Sequence, residues 1–154
     1  MKNLLFVLLG MLPVFAYAIL GESDASIAQD NQILASQSSL VVVKQLSTQQ
    51  PTNDKYTMSV IKASGDITVK EFSAAGKVFA VAWSGVRNPD LQQLLGSYFT
   101  KFKVSKPSYT SLTSREIKDS DLVVRTSGVV GDFHGVAYIP SLLPVDVKPS
   151  DLIK

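Results

Sequence analysis

Val78-Phe79-Ala80-Val81-Ala82-Trp83-Ser84-Gly85-Val86-Arg87-Asn88-Pro89-Asp90-Leu91-Gln92-Gln93-Leu94-Leu95-Gly96-Ser97-Tyr98-Phe99-Thr100-Lys101-Phe102 carries two hydrophobic rhythms in succession. Residues 78–83 are apolar at every position, the pattern of a strand covered on both faces and therefore central in its sheet. Beyond Asp90 the period changes. Leu91, Leu94, Leu95, Tyr98, Phe99 and Phe102 fall at i, +3, +4, +7, +8 and +11, one stripe of an amphipathic helix over about 89–102. Asn88 can cap this helix, Pro89 suits its first position, and Lys101 and Lys103 lie where the C-terminal dipole favours cations. Burying six such side chains is worth roughly 1.5–3 kcal/mol each before entropy costs, so this face is a main contributor to the core.

Strand signals continue on both sides. Tyr56, Met58 and Val60 alternate with Thr57 and Ser59, Gly65 and Asp66 supply turn chemistry, and Ile67 and Val69 resume the alternation, which predicts a β-hairpin. A second turn over 73–77 uses Gly76, where a positive φ is expected. Further upstream, the β-branched run 40–46 reads as a strand, the polar segment 47–55 with Pro51 as a loop, and 23–39 as a short helix carrying Ile27, Ile33 and Leu34. Downstream, the Ser- and Thr-rich stretch 105–114 reads as a loop with a short edge strand. Residues 121–126 and 133–139 then form strands about a turn at Gly128 and Gly131, and Pro140, Pro144 and Pro149 break up the tail before a helical turn at 150–154. The expected architecture is α+β, a small antiparallel sheet of about five strands with the helix laid across one face.

The N-terminus is of another kind. Met1-Lys2-Asn3 precedes an apolar run over 4–15, and Ala16-Tyr17-Ala18 places small side chains at the −3 and −1 positions of a secretory signal peptide, so cleavage is expected after Ala18. The apolar run is too short for a spanning helix, which needs about 20 residues. Of the 154 residues, 136 would remain as a single exported domain, 19–154, and loss of Lys2 would leave 14 basic residues against 13 acidic ones. So even a balance offers nothing to a polyanion such as nucleic acid. The chain has no cysteine, which removes disulfides, thiol nucleophiles, thiolate metal sites and a lipid-modified cysteine, and leaves no stable membrane anchor after cleavage.

The segment Glu71-Phe72-Ser73-Ala74-Ala75-Gly76-Lys77-Val78-Phe79-Ala80-Val81-Ala82-Trp83-Ser84-Gly85, with Pro89-Asp90-Leu91 and Leu94-Leu95-Gly96-Ser97-Tyr98-Phe99, resembles the proteobacterial domain-of-unknown-function family 2844. Gly135-Val136-Ala137-Tyr138-Ile139-Pro140-Ser141-Leu142-Leu143-Pro144 and the pair Leu20-Gly21 fit the same pattern. The resemblance implies an exported protein of Gram-negative bacteria, in the periplasm, with no assigned activity. It carries over no catalytic or binding residue, because its motifs are strand, glycine turn and amphipathic helix.

Chemistry has few places to reside. His134 is the only histidine, so a Ser-His-Asp arrangement would need it, with Asp132 as the adjacent acid and one of many serines; no G-x-S-x-G elbow is present. A metal site would need a carboxylate-dominated ligand set, and Asp119 with Asp121 lacks the calcium-loop pattern. Asp66, Glu71, Asp90 and Glu116 are candidate carboxylates for glycoside hydrolysis, most of them expected to be solvated surface charges. Neither phosphate-cradling glycine motif occurs, and no cofactor is implied. The most site-like group is the strand-to-helix junction, Trp83, Arg87, Asn88 and Asp90. A helix N-terminus beside an arginine can hold an anion, whereas a cap, a dipole-matched Asp and a core Trp account for the same residues. The expectation is therefore a non-enzymatic binding or interaction module, meeting an envelope protein or a small ligand, with a hydrolase using carboxylates or His134 as the alternative.

Overall fold

The computed structural model describes residues 20–27, 47–49, 55–63 and 65–153. The expected signal peptide, the strand over 40–46 and most of the helix over 23–39 lie outside the described residues; what is described of the last is a single 3₁₀ turn, Asp24–Ser26.

Among the described residues, eight strands form one antiparallel sheet: β1 (Ser47–Gln49), β2 (Thr57–Ala63), β3 (Ile67–Ala74), β4 (Lys77–Gly85), β5 (Ser108–Ser111), β6 (Ser114–Lys118), β7 (Val123–Val129) and β8 (Asp132–Tyr138). Their order is β1-β2-β3-β4-β8-β7-β6-β5, two four-stranded meanders joined where β4 pairs with β8. The α+β class holds, but about five strands was too few: seven run from Thr57 onward, and the three-residue β1 adds an eighth. β5 is the short edge strand expected within 105–114 and stands at the edge of the sheet, whereas β6, just after that stretch, has only Ile117 buried among its five side chains, so no burial pattern marked it. Residues 47–49, also read as loop, form the edge strand β1 against Gln49↔Met58 and its neighbours.

The helix connects the two meanders. It runs as α1 (Leu91–Leu95), a 3₁₀ turn (Gly96–Tyr98) and α2 (Phe99–Val104), two residues later at each end than the stripe suggested. The offset has a local cause. Asp90, not Asn88, is the N-cap, and its carboxylate accepts from the backbone N–H of Gln92 at 2.9 Å and of Gln93 at 3.2 Å. Pro89 accordingly precedes the cap.

Leu94 and Leu95 are fully buried against Ile67, Val69, Val81, Trp83, Val124, Ala137 and Ile139, while Leu91, Tyr98, Phe99 and Phe102 pack around them. The chain from Leu20 joins this face. Leu20 is buried and donates its N–H to Leu94 O, Gly21 donates to Val78 O, and Val78 donates to Glu22 O. Gly21 has φ +87°, and a Cβ there would sit 3.1 Å from Ile139 Cδ1 and 3.2 Å from Tyr98 Cε2, so glycine fits both the backbone and the space.

A second core covers the opposite face. Phe72, Phe79, Ala80, Ala82, Val123, Val136 and Tyr138 pack with Val147 and Leu152 from the C-terminal tail. β4 is thus buried on both sides, as its continuous apolar run predicts. The tail ends in a 3₁₀ turn, Pro149–Leu152, close to the helical turn expected there. No helix among the described residues is long and apolar enough to cross a membrane.

Candidate functional site

The four junction residues are brought together in part. Trp83 is 3% exposed near the end of β4, and its indole Nε1–H donates to Asn88 Oδ1 at 3.1 Å. An indole nitrogen can only donate, so this bond fixes the Asn88 amide with its oxygen inward and its Nδ2 donors outward. Trp83 in turn depends on its neighbour across the β4–β8 pair, Gly135. A Cβ at that position would lie 2.1 Å from Trp83 Cζ2 and 2.2 Å from Cε2, so the indole occupies the space a side chain would take.

Arg87 and Asp90 turn elsewhere. Arg87 reaches back to the β2–β3 turn, with Nη2 3.2 Å and Nε 3.3 Å from where a Gly65 Cβ would stand. Asp90 is committed to the cap.

Asn88 contributes to an open groove of about 310 Å³ at the sheet end where β4, β5 and β7 finish and β6 and β8 begin. Tyr109, Leu112, Arg115, Thr126 and Phe133 also line it, and no Asp or Glu does so among the described residues. Tyr109 and Arg115 are register partners, as are Arg115 and Thr126, so these three stand side by side on the helix-bearing face. Arg115 Nε donates to Thr126 Oγ1 at 3.1 Å, and its guanidinium carbon lies 5.6 Å from the Phe102 ring centroid. Leu112, in the two-residue turn between Ser111 and Ser114, is fully exposed. Apart from Asn88, sequence reasoning missed these groove residues. The available signal was a leucine in a tight polar turn flanked by Tyr109-Thr110 and Arg115-Glu116-Ile117, strand-like pairs that the surrounding Ser and Thr obscured.

His134 lies on the opposite face. Its Nε2 is 2.7 Å from Asp132 Oδ1, and Ser127 and Ser84 occupy the register positions on either side of it. Both members of the pair are well exposed, and no serine hydroxyl bonds His134 among the described residues. A hollow of about 220 Å³ adjoins it, lined in part by Arg125, Ser127 and Ile153.

The four candidate carboxylates are dispersed. Asp66 lies in the β2–β3 turn, and Glu71 lies five residues further along the chain, about 16 Å at strand rise. Glu71 is fully buried on the helix-bearing face, a correction to its expected place among surface charges. Glu116 sits on the other face, four strands away or about 19 Å, and pairs with Arg125 at 2.8 Å. Asp119 and Asp121 converge on Lys101 of α2. The Lys101 ammonium and then the Ser120 hydroxyl and N–H hold the Asp119 carboxyl down at about 2, and the two carboxylates, Asp121 foremost, raise Lys101. No group of three or more His, Cys, Asp or Glu arranged for a metal ion occurs among the described residues.

The fold is thus a two-meander antiparallel α+β domain with an acid-free groove at one sheet end. Residues 16–152 match the family described as a protein of unknown function, DUF2844, and the chain belongs to that family. No curated protein and no solved structure matches it.

Proposed function

We propose that the chain is an exported binding module, a single domain of residues 19–154 released into the periplasm by cleavage after Ala18, whose site is the groove between Asn88 and the β5–β6 hairpin. The observation that carries the binding part is the composition of that groove. Tyr109, Leu112 and Phe133 supply ring and aliphatic surface among the polar side chains of Asn88, Thr113, Ser114, Arg115, Thr126 and Ser127, a mixture that can hold a polar ring, and its volume stands at the lower end of the range for small-ligand sites. Asn88 is the one residue of the Trp83, Arg87, Asn88 and Asp90 junction that faces a ligand there. Trp83 positions it, Asp90 caps the helix, and Arg87 braces a neighbouring turn. The export part is supported by the leader pattern, the Met1-Lys2-Asn3 start, the apolar run over 4–15 and the small side chains of Ala16 and Ala18.

A hydrolase remains the second reading because Asp132 and His134 form a close pair beside Ser127 and Ser84. One experiment separates the two. A small-fragment library of neutral and charged compounds is screened by amide NMR, and chromogenic esters are assayed in parallel on wild type and His134→Ala. The binding module predicts responses clustered at Asn88, Thr126 and Phe133 and no His134-dependent turnover. Silence in the groove together with ester cleavage lost in His134→Ala would overturn it.

A further inference from the structure

We infer that the groove takes a small ligand bearing a carboxylate on a six-membered ring, recognised through Arg115. This rests on the binding reading above and names the chemistry of its ligand.

The charges of the molecule argue for it first. Arg125 is paired with Glu116, and Lys101 with Asp119 and Asp121, whereas Arg115 has no acidic partner among the described residues. An arginine without a counter-ion, in a groove with no acid in its lining, leaves a positive potential for an anion to neutralise.

The guanidinium is also held in place before any ligand arrives. The Nε bond to Thr126 and the Phe102 ring, whose centroid lies 5.6 Å from the guanidinium carbon, orient it and use only one of its five N–H groups. The Nη edge stays available for the two-point contact that a carboxylate makes with arginine, and less side-chain entropy is lost on binding because the fork is already ordered. Asn88 adds donors of the same sign. Its oxygen is turned to Trp83, so it is the N–H groups of the amide that are left for the groove. The fixed groups therefore select for an acceptor-rich anion over a cation.

The walls select the rest of the molecule. Tyr109 and Phe133 supply ring surfaces and Leu112 an aliphatic one, all suited to a flat or gently puckered ring, and about 310 Å³ accommodates one such ring with its substituents. A uronic acid and an aromatic carboxylate share this chemistry.

The test titrates the full domain with glucuronate, benzoate and their neutral counterparts glucose and benzyl alcohol, followed by amide NMR at low salt. Saturable shifts at the Asn88 side-chain amide, Thr126 and Phe133 are expected for at least one acid. Its neutral counterpart should bind at least about tenfold more weakly, the loss expected on removing a charge-assisted pair. Arg115→Gln should cost about the same factor with the spectrum otherwise native, and Arg115→Lys should restore only part of it, because lysine lacks the planar fork. Which acid binds distinguishes the sugar from the aromatic source. Equal binding of acids and neutral counterparts, equal binding to Arg115→Gln, or no groove response to either acid up to about 20 mM would overturn the inference. If other library fragments still occupy the groove, the binding reading stands without it; if none does, both fall.

Discussion

Gly135→Ala isolates the contact on which the site depends. The added methyl would lie 2.1 Å from Trp83 Cζ2, against roughly 3.5–4.0 Å for a relaxed carbon–carbon contact, so the indole must move by about 1.5 Å. It has little room to do so, being 3% exposed and bonded through Nε1 to Asn88. Overpacking of this kind costs about 1–3 kcal/mol. Losing the indole–amide bond adds roughly 0.5–1.5 kcal/mol, so the substitution should destabilise the domain by about 2–4 kcal/mol, a large part of the 5–15 kcal/mol of a typical domain. Trp83 is the only tryptophan, so its emission reports this site alone. Urea unfolding followed by fluorescence and circular dichroism should show a lower midpoint, and the native emission should shift as the indole leaves its pocket. In a Trp83→Leu background, followed by circular dichroism, the cost of Gly135→Ala should fall below about 1 kcal/mol, because the clash is with the indole itself. A loss under about 1 kcal/mol with unshifted emission in the single variant would refute the reasoning.

The helix offers two more tests. Leu95→Asp places an unpaired carboxylate at a fully buried position and should cost more than about 4 kcal/mol, so native circular dichroism and melting in that variant would contradict the packing. Asp90→Ala should lower stability by about 1 kcal/mol through loss of the cap; Asn88→Ala should leave the helix nearly unchanged and alter Trp83 emission instead, and the reverse result would return the cap to Asn88. The Lys101 cluster gives a pH test with a definite sign. The Asp119 carboxyl lies near 2 in the folded protein against an ordinary 3.8, so its contribution is full above about pH 4 and fades as pH falls towards 2; that of Lys101 is full below 10.5 and is lost only at higher pH. Asp119→Asn should flatten the acid limb of the melting profile between pH 4 and 2, and added salt should do the same because the cluster is exposed.

Much of the site escaped the sequence because side chains with no burial pattern build it. Tyr109 stands on the short edge strand expected within 105–114, but Arg115 stands on a strand that no pattern marked, and it meets Thr126 only through the β6–β7 register, eleven residues away in the chain. Asn88 was legible as a polar residue before a helix, yet its role was assigned to the wrong bond. Capping is a local signal that any of several polar residues can satisfy. The choice between Asn88 and Asp90 fell to Trp83, whose buried N–H needed an acceptor.

Period and turn chemistry in the sequence determined that a doubly buried strand is followed by an amphipathic helix, that a hairpin precedes them, and that one apolar face of the helix enters the core. These are local properties, fixed by where apolar side chains fall along the chain. Tertiary structure alone decided the joining of two meanders at β4 and β8, the covering of the second sheet face by a proline-broken tail, and the meeting of Arg115, Asn88 and Tyr109 in one groove. Each of these pairs groups far apart in the chain, and such contacts are settled by shape and burial across the whole domain rather than by any window of residues.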